Sequence, residues 1–332
     1  MKNNCFVEIS KHLGVSKSTI SKAFRHCGGV DSGTRLAVLN EISKQNIKPE
    51  GTCDIYQIYP ATPSYLWNGI GTIPDFGQHH ILTKYNVITK VNDSSVVMNY
   101  IEEAHHMNAK VLIITATISH EIEELLRKMT KNCFIIFLSE RCDMTNGFYI
   151  GSDAFVDGFR VGEAYLNQYA GCRVLIPSPK MNGNTRIRID GFRKALCDGG
   201  IEDSVIQEVP FDSNFMNDMK LFPSKLANHL NDCILPAVEE KLCLYFPAGG
   251  DQIFSAISKA GLQEKVVCMG HDIPSKDAKT DAVLCMQDIL AQRNAAYDTA
   301  LSYLLTGMYP KSKHIFLPSK LQIINKNGSK CS

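Results

Sequence analysis

Between positions 16 and 22 the chain sets Ser16, Lys17, Ser18, Thr19, Ser21 and Lys22 close together, with no acidic side chain among them. Hydroxyl and ammonium groups in such a run donate hydrogen bonds to phosphate oxygens and base edges, and nothing in it repels a polyanion. Nucleic-acid binding is therefore the chemistry this run supports. Catalytic chemistry finds less. Ser139, His271 and Asp272 are residue types that make a nucleophilic triad, yet no Gly-x-Ser-x-Gly elbow presents a serine. No Gly-rich phosphate loop ending in Lys-Ser/Thr occurs, and His79-His80 and His105-His106 are adjacent pairs rather than the i, i+4 pairs that share a helix face. The chain has 12 cysteines, but no two lie within four residues of each other, so no Cys-x2-Cys ligand pair exists. An enzyme, a cofactor and a metal are all absent from this reading, and the thiols are taken as reduced and mostly buried.

The run has to be positioned by helices. Ile9 and Leu13 share one helical face, and Ile20 and Phe24 repeat the four-residue spacing after a break at Gly14-Val15-Ser16. Gly14 supplies the positive φ of a tight turn, and Ser16 caps the helix that follows. The two short helices share one core and leave the Lys/Ser/Thr face outward. Val30, an Asp31-Ser32 cap and the apolar series Leu36, Leu39 and Ile42, ended by Asn46 and Pro49, predict a third helix.

These residues resemble the N-terminal signature of the LacI family of bacterial transcription regulators. That signature is a Gly-Val-Ser turn, a Thr-Val/Ile-Ser recognition helix and a Val-x-x-x-Thr-Arg third helix; here they are Gly14-Val15-Ser16, Thr19-Ile20-Ser21, and Val30 with Thr34-Arg35. The resemblance implies a helix-turn-helix DNA-binding domain over 1–50, in which Ser16, Lys17, Ser18, Thr19, Ser21 and Lys22 meet the duplex. Charge agrees: residues 1–50 hold eight Lys/Arg against four Asp/Glu, so this segment is +4 and the remainder −3 of a chain whose net charge is +1.

Beyond Pro49 short apolar runs alternate with helix-period segments. Strands are expected at 54–59, 87–91, 111–115, 134–138, 173–176, 242–246 and 266–269, with helices near 95–107, 119–129, 185–197 and 252–260. Buried strands alternating with helices predict parallel α/β sheets, and the restart at Arg173 predicts two of them. The late segment, a strand-like run at Val283, a helix from Ile289 to Leu305 and a strand-like run from Ile315 to Ile324, resembles the end of the LacI-family effector domain. That domain is similar to periplasmic sugar-binding proteins, which implies an α/β fold: a three-helix helix-turn-helix domain followed by a two-lobed, Rossmann-like periplasmic-binding-protein type I domain over 54–328. Crossovers are placed near Ala170, Gln287 and Pro310, giving lobe 1 about 54–170 and 287–310, and lobe 2 about 171–286 and 311–328.

In open α/β sheets ligands bind beyond the carboxyl ends of the strands. There the resemblance implies an effector site with Tyr65 and Trp67 as aromatics that stack on a sugar face. Glu140 and Arg141 stand where relatives carry Ile-Asp-Arg. Arg188 falls in an Arg-x-x-Gly-Phe motif ending at Phe192, Asp272 in a Gly-His-Asp run, and Gln287 at a crossover. Gly250 stands where relatives usually carry an effector-binding Asn, so one polar contact is missing. His271 replaces the usual aromatic and is read as a structural imidazole.

The N-terminus lacks the apolar run of a signal peptide, and no stretch approaches the ~18 apolar residues needed to span a bilayer. The expectation is a cytoplasmic, sequence-specific repressor. It acts as a homodimer on a pseudo-palindromic double-stranded operator, contacts no membrane and is controlled by a small carbohydrate effector bound between the lobes. The alternative is a cytoplasmic sugar-binding module with little or no specific DNA binding. The linker at 50–53 is unusually short and lacks the Ala-x-x-Leu core with which relatives form a hinge helix, so no hinge helix is expected.

Overall fold

The apolar runs at 111–114, 134–138, 242–246 and 266–271 are buried along their whole length, as strands covered on both faces must be. A computed structural model describes residues 2–24, 30–31, 33–34, 37–38, 41, 53–60, 84–89, 94–116, 118–142, 144, 147–179, 183–211, 224, 227–228, 241–248, 250–272, 280–324 and 330–331.

At the N-terminus α1 (Lys2–Leu13) and α2 (Lys17–Phe24) are joined by a turn in which Gly14 has φ 64°. Ser16 Oγ accepts the Thr19 N–H at 3.0 Å, so the expected cap is in place. Ile9, Ile20, Ala23 and Val38 are buried together, with Phe6, Leu13, Val15 and Val30 against them. Residues 33, 34, 37, 38 and 41 are helical, and Asp31 Oδ1 accepts the Thr34 N–H at 2.9 Å. That bond holds the Asp31 carboxyl below its usual range. Leu36, Leu39 and Ile42, expected to face this core, lie outside the described residues, as do Asn46 and Pro49.

The chain then forms β1 (Ile55–Pro60), β2 (Lys84–Thr89), α3 (Ser94–His106), β3 (Val111–Ile114), α4 (His120–Met129), β4 (Phe134–Leu138) and β5 (Gly147–Gly151). Next come α5 (Ala154–Gln168), β6 (Arg173–Pro179), α6 (Asn184–Asp198), β7 (Ile206–Phe211), β8 (Leu242–Phe246), α7 (Gly250–Ala260), β9 (Val266–His271) and β10 (Ala282–Met286). The described elements end with α8 (Ile289–Thr306), β11 (His314–Phe316), β12 (Lys320–Ile324) and β13 (Lys330–Cys331).

One sheet has the order β11-β5-β4-β3-β1-β2 and the other β13-β12-β10-β9-β8-β6-β7. Within each, the first strand of the unit lies between the second and the third: β1 pairs in parallel with β2 and β3, and β6 with β7 and β8. The chain thus reverses its direction of travel across each sheet beside that first strand, the place where open α/β sheets carry ligands. Late in the chain, β12 pairs antiparallel with β10 and with β13.

The chain divides into two compact units, Met1–Gly151 with Ile289–Ile315, and Ser152–Asp288 with Phe316–Ser332. This corrects the expected first crossover near Ala170, which lies at Gly151 instead. The reason is α5, which the sequence reading did not resolve and which packs backbone to backbone on α6 of the second unit. A Cβ on Gly158 would stand 2.0 Å from Arg188 O, and one on Gly191 would stand 2.1 Å from Phe155 O. The other two boundaries fall at Asp288 and Ile315, against about Gln287 and Pro310 expected. The run 315–324 is two strands rather than one, broken at Leu317-Pro318-Ser319, since proline cannot donate to a ladder. Strands β5 and β7 also went unread. β7 is a sheet edge and so carries Gln207, Glu208 and Pro210, which blur its apolar pattern.

Candidate functional site

The residue that follows each unit's fourth strand in sequence has a left-handed backbone: Ser139 after β4 with φ 64°, and Asp272 after β9 with φ 49°. Neither is glycine, and such backbones gather at sites where neighbouring structure over-determines them. The surroundings of Asp272 show what holds it.

Two arginines lie a pair of residues apart near the start of α6, and the fold gives them different environments. Arg186 is half-exposed and pairs with Asp190 and Glu208, both at 3.1 Å. Arg188 is buried, and its Nη1 donates to Pro247 O at 2.9 Å, just past the carboxyl end of β8. Its Nη2 stands 3.5 Å from Asp272 Oδ2, with the two side chains 7% and 11% exposed. Gln287 closes the other side of that carboxylate: its backbone N–H donates to Oδ1 at 3.0 Å and its side-chain amide donates to Oδ2. Ser152 Oγ in turn donates to Gln287 Oε1 at 3.0 Å. Burial pushes the Asp272 carboxyl up, and Arg188 and the two Gln287 donors oppose that shift by favouring the anion.

Beneath this pair Tyr245 donates to Arg188 O at 3.1 Å, and its hydroxyl lies 3.0 Å from His271 Nε2. A carbonyl only accepts, so the single Tyr245 proton goes to Arg188 O. The hydroxyl therefore accepts from His271, which fixes the imidazole proton on Nε2 and leaves the Nδ1 lone pair bare. Burial, with Arg188 nearby, holds the His271 imidazole well below its usual range, so it is neutral. Ser319 donates to Asp157 Oδ1, and Arg160 Nη1 donates to Ser319 O at 2.8 Å.

Of the residues singled out from the sequence, Arg188, Asp272 and Gln287 are thus brought into one hydrogen-bonded set in the second unit. Glu140 and Arg141 are partly buried past β4 in the first unit. Tyr65 and Trp67 lie outside the described residues. Gly250 opens α7 with no side chain to offer a ligand. Ser139 Oγ donates to Gln292 Oε1, and His271 is engaged by Tyr245, so each is committed to a bond other than that of a triad. In the N-terminal helices Ser16, Lys17, Ser18 and Lys22 are exposed, while Thr19 and Ser21 are half-buried. The hydroxyls of Ser16 and Thr19 lie 2.8 Å apart, so capping already uses them, and Lys17, Ser18 and Lys22 are the outward donors.

Sequence reasoning missed Tyr245, Asp157 and, in the first unit, Gln57, whose Oε1 accepts from Tyr297. A signal existed for Gln57: one amide within the apolar run Ile55 to Tyr59, fully buried in the fold. A buried amide demands a partner.

No protein-family model matches the chain, and no curated protein sequence matches it. Solved structures do. GanP, a glucose-galactose binding protein from Geobacillus stearothermophilus, is 12% identical, the match covering 84% of this chain and 99% of that one with a TM-score of 0.66. A LacI-family transcriptional regulator from Silicibacter pomeroyi is 16% identical over 96% of this chain and 97% of that one, with a TM-score of 0.60. The lac repressor dimer bound to operator and the anti-inducer ONPF is 14% identical over 97% of this chain and 96% of that one, with a TM-score of 0.56. At such identities the likeness is one of fold. The chain has the α/β, two-lobed fold of the periplasmic-binding-protein type I kind, with largely parallel sheets. No helix among the described residues is long and apolar enough to cross a membrane.

Proposed function

We propose that this chain is a sugar-responsive transcription regulator, most simply a repressor, in which residues 1–50 bind DNA and residues 54–328 bind the effector. The observation that carries the reading is the union in one chain of two features. One is an α1–α2 pair with an acid-free outward face at Lys17, Ser18 and Lys22. The other is a buried Arg188–Asp272–Gln287 set past the carboxyl ends of β8, β9 and β10 in the second sheet. A guanidinium and a carboxylate side by side suit vicinal hydroxyls, since one donates and the other accepts in fixed geometry. The coverage of the matches supports the DNA-binding part: the two regulators align over 96% and 97% of this chain, against 84% for the sugar-binding protein. A short recognition helix reads few base pairs, so the regulator acts as a homodimer on a pseudo-palindromic operator in the cytoplasm.

The second reading, a sugar-binding module without specific DNA binding, is favoured by the higher TM-score to GanP, 0.66 against 0.60 and 0.56. Selection of binding sites from random duplexes, followed by competition with a panel of sugars, separates the two. The regulator reading expects an enriched two-fold symmetric consensus and release or tightening by one sugar. Lys22→Ala weakens that binding by about 1–3 kcal/mol and relaxes one base position per half-site. Sugar binding with no enriched consensus establishes the module instead.

A further inference from the structure

We propose a buried transition-metal site, zinc-like in its donor set, formed by Asp157 of α5, His271 at the end of β9 and Cys285 of β10. A carboxylate oxygen of Asp157, a ring nitrogen of His271 and the Cys285 sulfur all lie within 4.8 Å of one another, and all three residues are buried. The proposal goes beyond the sugar-responsive reading and does not rest on it.

Two of these donors are acceptors for which the described residues supply no hydrogen. Asp157 Oδ2 and His271 Nδ1 are buried without a hydrogen-bond partner, in residues 2% and 1% exposed. The Tyr245 bond places the imidazole proton on Nε2, so Nδ1 presents a lone pair. The neighbouring hydroxyl and thiol already make bonds: the Cys285 thiol donates to Ser319 Oγ at 3.1 Å, and Ser319 donates to Asp157 Oδ1. Arg188 extends to Pro247 O and Asp272. A buried carboxylate oxygen and a buried imidazole nitrogen that each lack a hydrogen are costly unless a cation or donor supplies what they miss.

A cation satisfies both at once. Zinc takes sulfur at about 2.3 Å and nitrogen or oxygen at about 2.0–2.2 Å in tetrahedral geometry, which puts neighbouring donors roughly 3.3–3.8 Å apart, within reach of this cluster by small side-chain movements. One sulfur, one imidazole nitrogen and one carboxylate favour zinc or cobalt over calcium or magnesium, which prefer oxygen throughout. The fourth position falls to an oxygen, and the Ser319 hydroxyl, already in contact with Cys285 Sγ and Asp157, is the group at hand. On binding, the sulfur–hydrogen bond of Cys285 breaks, a sulfur–metal bond forms, and the proton leaves to solvent. The ion would tie α5, β9 and β10 together directly beneath Asp272, which follows His271, and Gln287, which lies two residues past Cys285.

The test uses the full chain. Protein expressed in zinc-supplemented medium and purified without chelator is analysed for metal content, then stripped and reloaded with Co(II). The site expects about one metal per chain. It also expects a thiolate-to-cobalt charge-transfer band with tetrahedral visible bands, both lost in Cys285→Ser and unchanged in Cys197→Ser, a control at an exposed thiol. Asp157→Asn, nearly isosteric, lowers cobalt affinity at least about tenfold. Wild-type protein that retains no metal, or a charge-transfer band that survives Cys285→Ser, overturns the site and assigns the cluster to a shared proton or a water. Neither DNA nor sugar enters the readout, so this proposal and the regulator reading fail separately.

Discussion

At the scale of residues the second unit concentrates its polar commitments around Arg188. Removing the guanidinium leaves Asp272 buried without its cation, and breaking such a pair costs about 3–5 kcal/mol, whereas replacing both members together costs much less. Arg188→Ala is therefore expected to lower the urea-unfolding free energy by that amount, and Arg188→Met combined with Asp272→Asn to restore part of it. On the proposed function, both variants are expected to lose the response to sugar. If the double variant is as unstable as the two single changes added together, the two side chains do not act as a pair. Burial has a second consequence among the cysteines. The Cys133 thiol is pushed up to about 12, because a thiolate there would be desolvated, while Cys197 is exposed. At pH 8 the reactive thiolate of Cys133 is then only ~10⁻⁴ of the total. Alkylation followed by peptide mass mapping should label Cys197 within minutes, and Cys133 only once denaturant unfolds the first unit. Raising the pH from 7 to 9 leaves the Cys133 reaction undetected on that timescale.

The relevant elements are α5 and α6, whose contact places Arg188. Their backbones approach closely enough that Gly158 and Gly191 leave no space for a side chain. The glycine in the run from Arg188 to Phe192, which the sequence offers only as a motif letter, thus has a steric reason. Gly191→Ala should force the helices apart and destabilise the second unit by at least the ~1–3 kcal/mol typical of overpacking, with loss of the sugar response as Arg188 shifts. Calorimetry and a sugar-binding assay on the same variant check both. An unaltered unfolding temperature would mean that the helices separate at little cost. The sequence contained the α6 half of this contact and concealed the α5 half. Residues 154–168 mix Phe155 and Val156, both exposed, with buried Asp157, Gly158 and Gly162. Val161 and Tyr165 are fully buried, but the small Gly158 and Gly162 and the acidic Asp157 share that inward face while Phe155 and Val156 point outward, so the apolar stripe is broken.

For the whole molecule, the decisive length is the linker. The Cys53 N–H already donates to Met107 O at 3.3 Å, and its carbonyl accepts from Lys110 N at 3.1 Å, so the first α/β unit begins there. The sequence leaves 50–53 as the expected linker; a turn of helix takes 3.6 residues, and Gly51 disfavours even that. On the proposed regulator reading, operator DNA is expected to bend less than when a side chain is wedged into the minor groove. Circular-permutation gel shifts measure this: a sharp kink at the operator dyad, lost on mutating residues 50–56, would show that a hinge exists. The sequence by itself determined whatever depends on near neighbours. Gly14 and Ser16 set a turn and a cap within a few residues. Continuous apolar runs declared the inner strands, and Arg188 was legible from its motif. Tertiary structure alone decided the rest. It set the order in which strands lie, which helix joins which unit, and the meeting of Asp157, His271 and Cys285 from distant parts of the chain. Local propensity acts over a turn of helix or a strand's length. Which donors converge depends instead on sheet order and helix packing, and these follow from burying every apolar face at once.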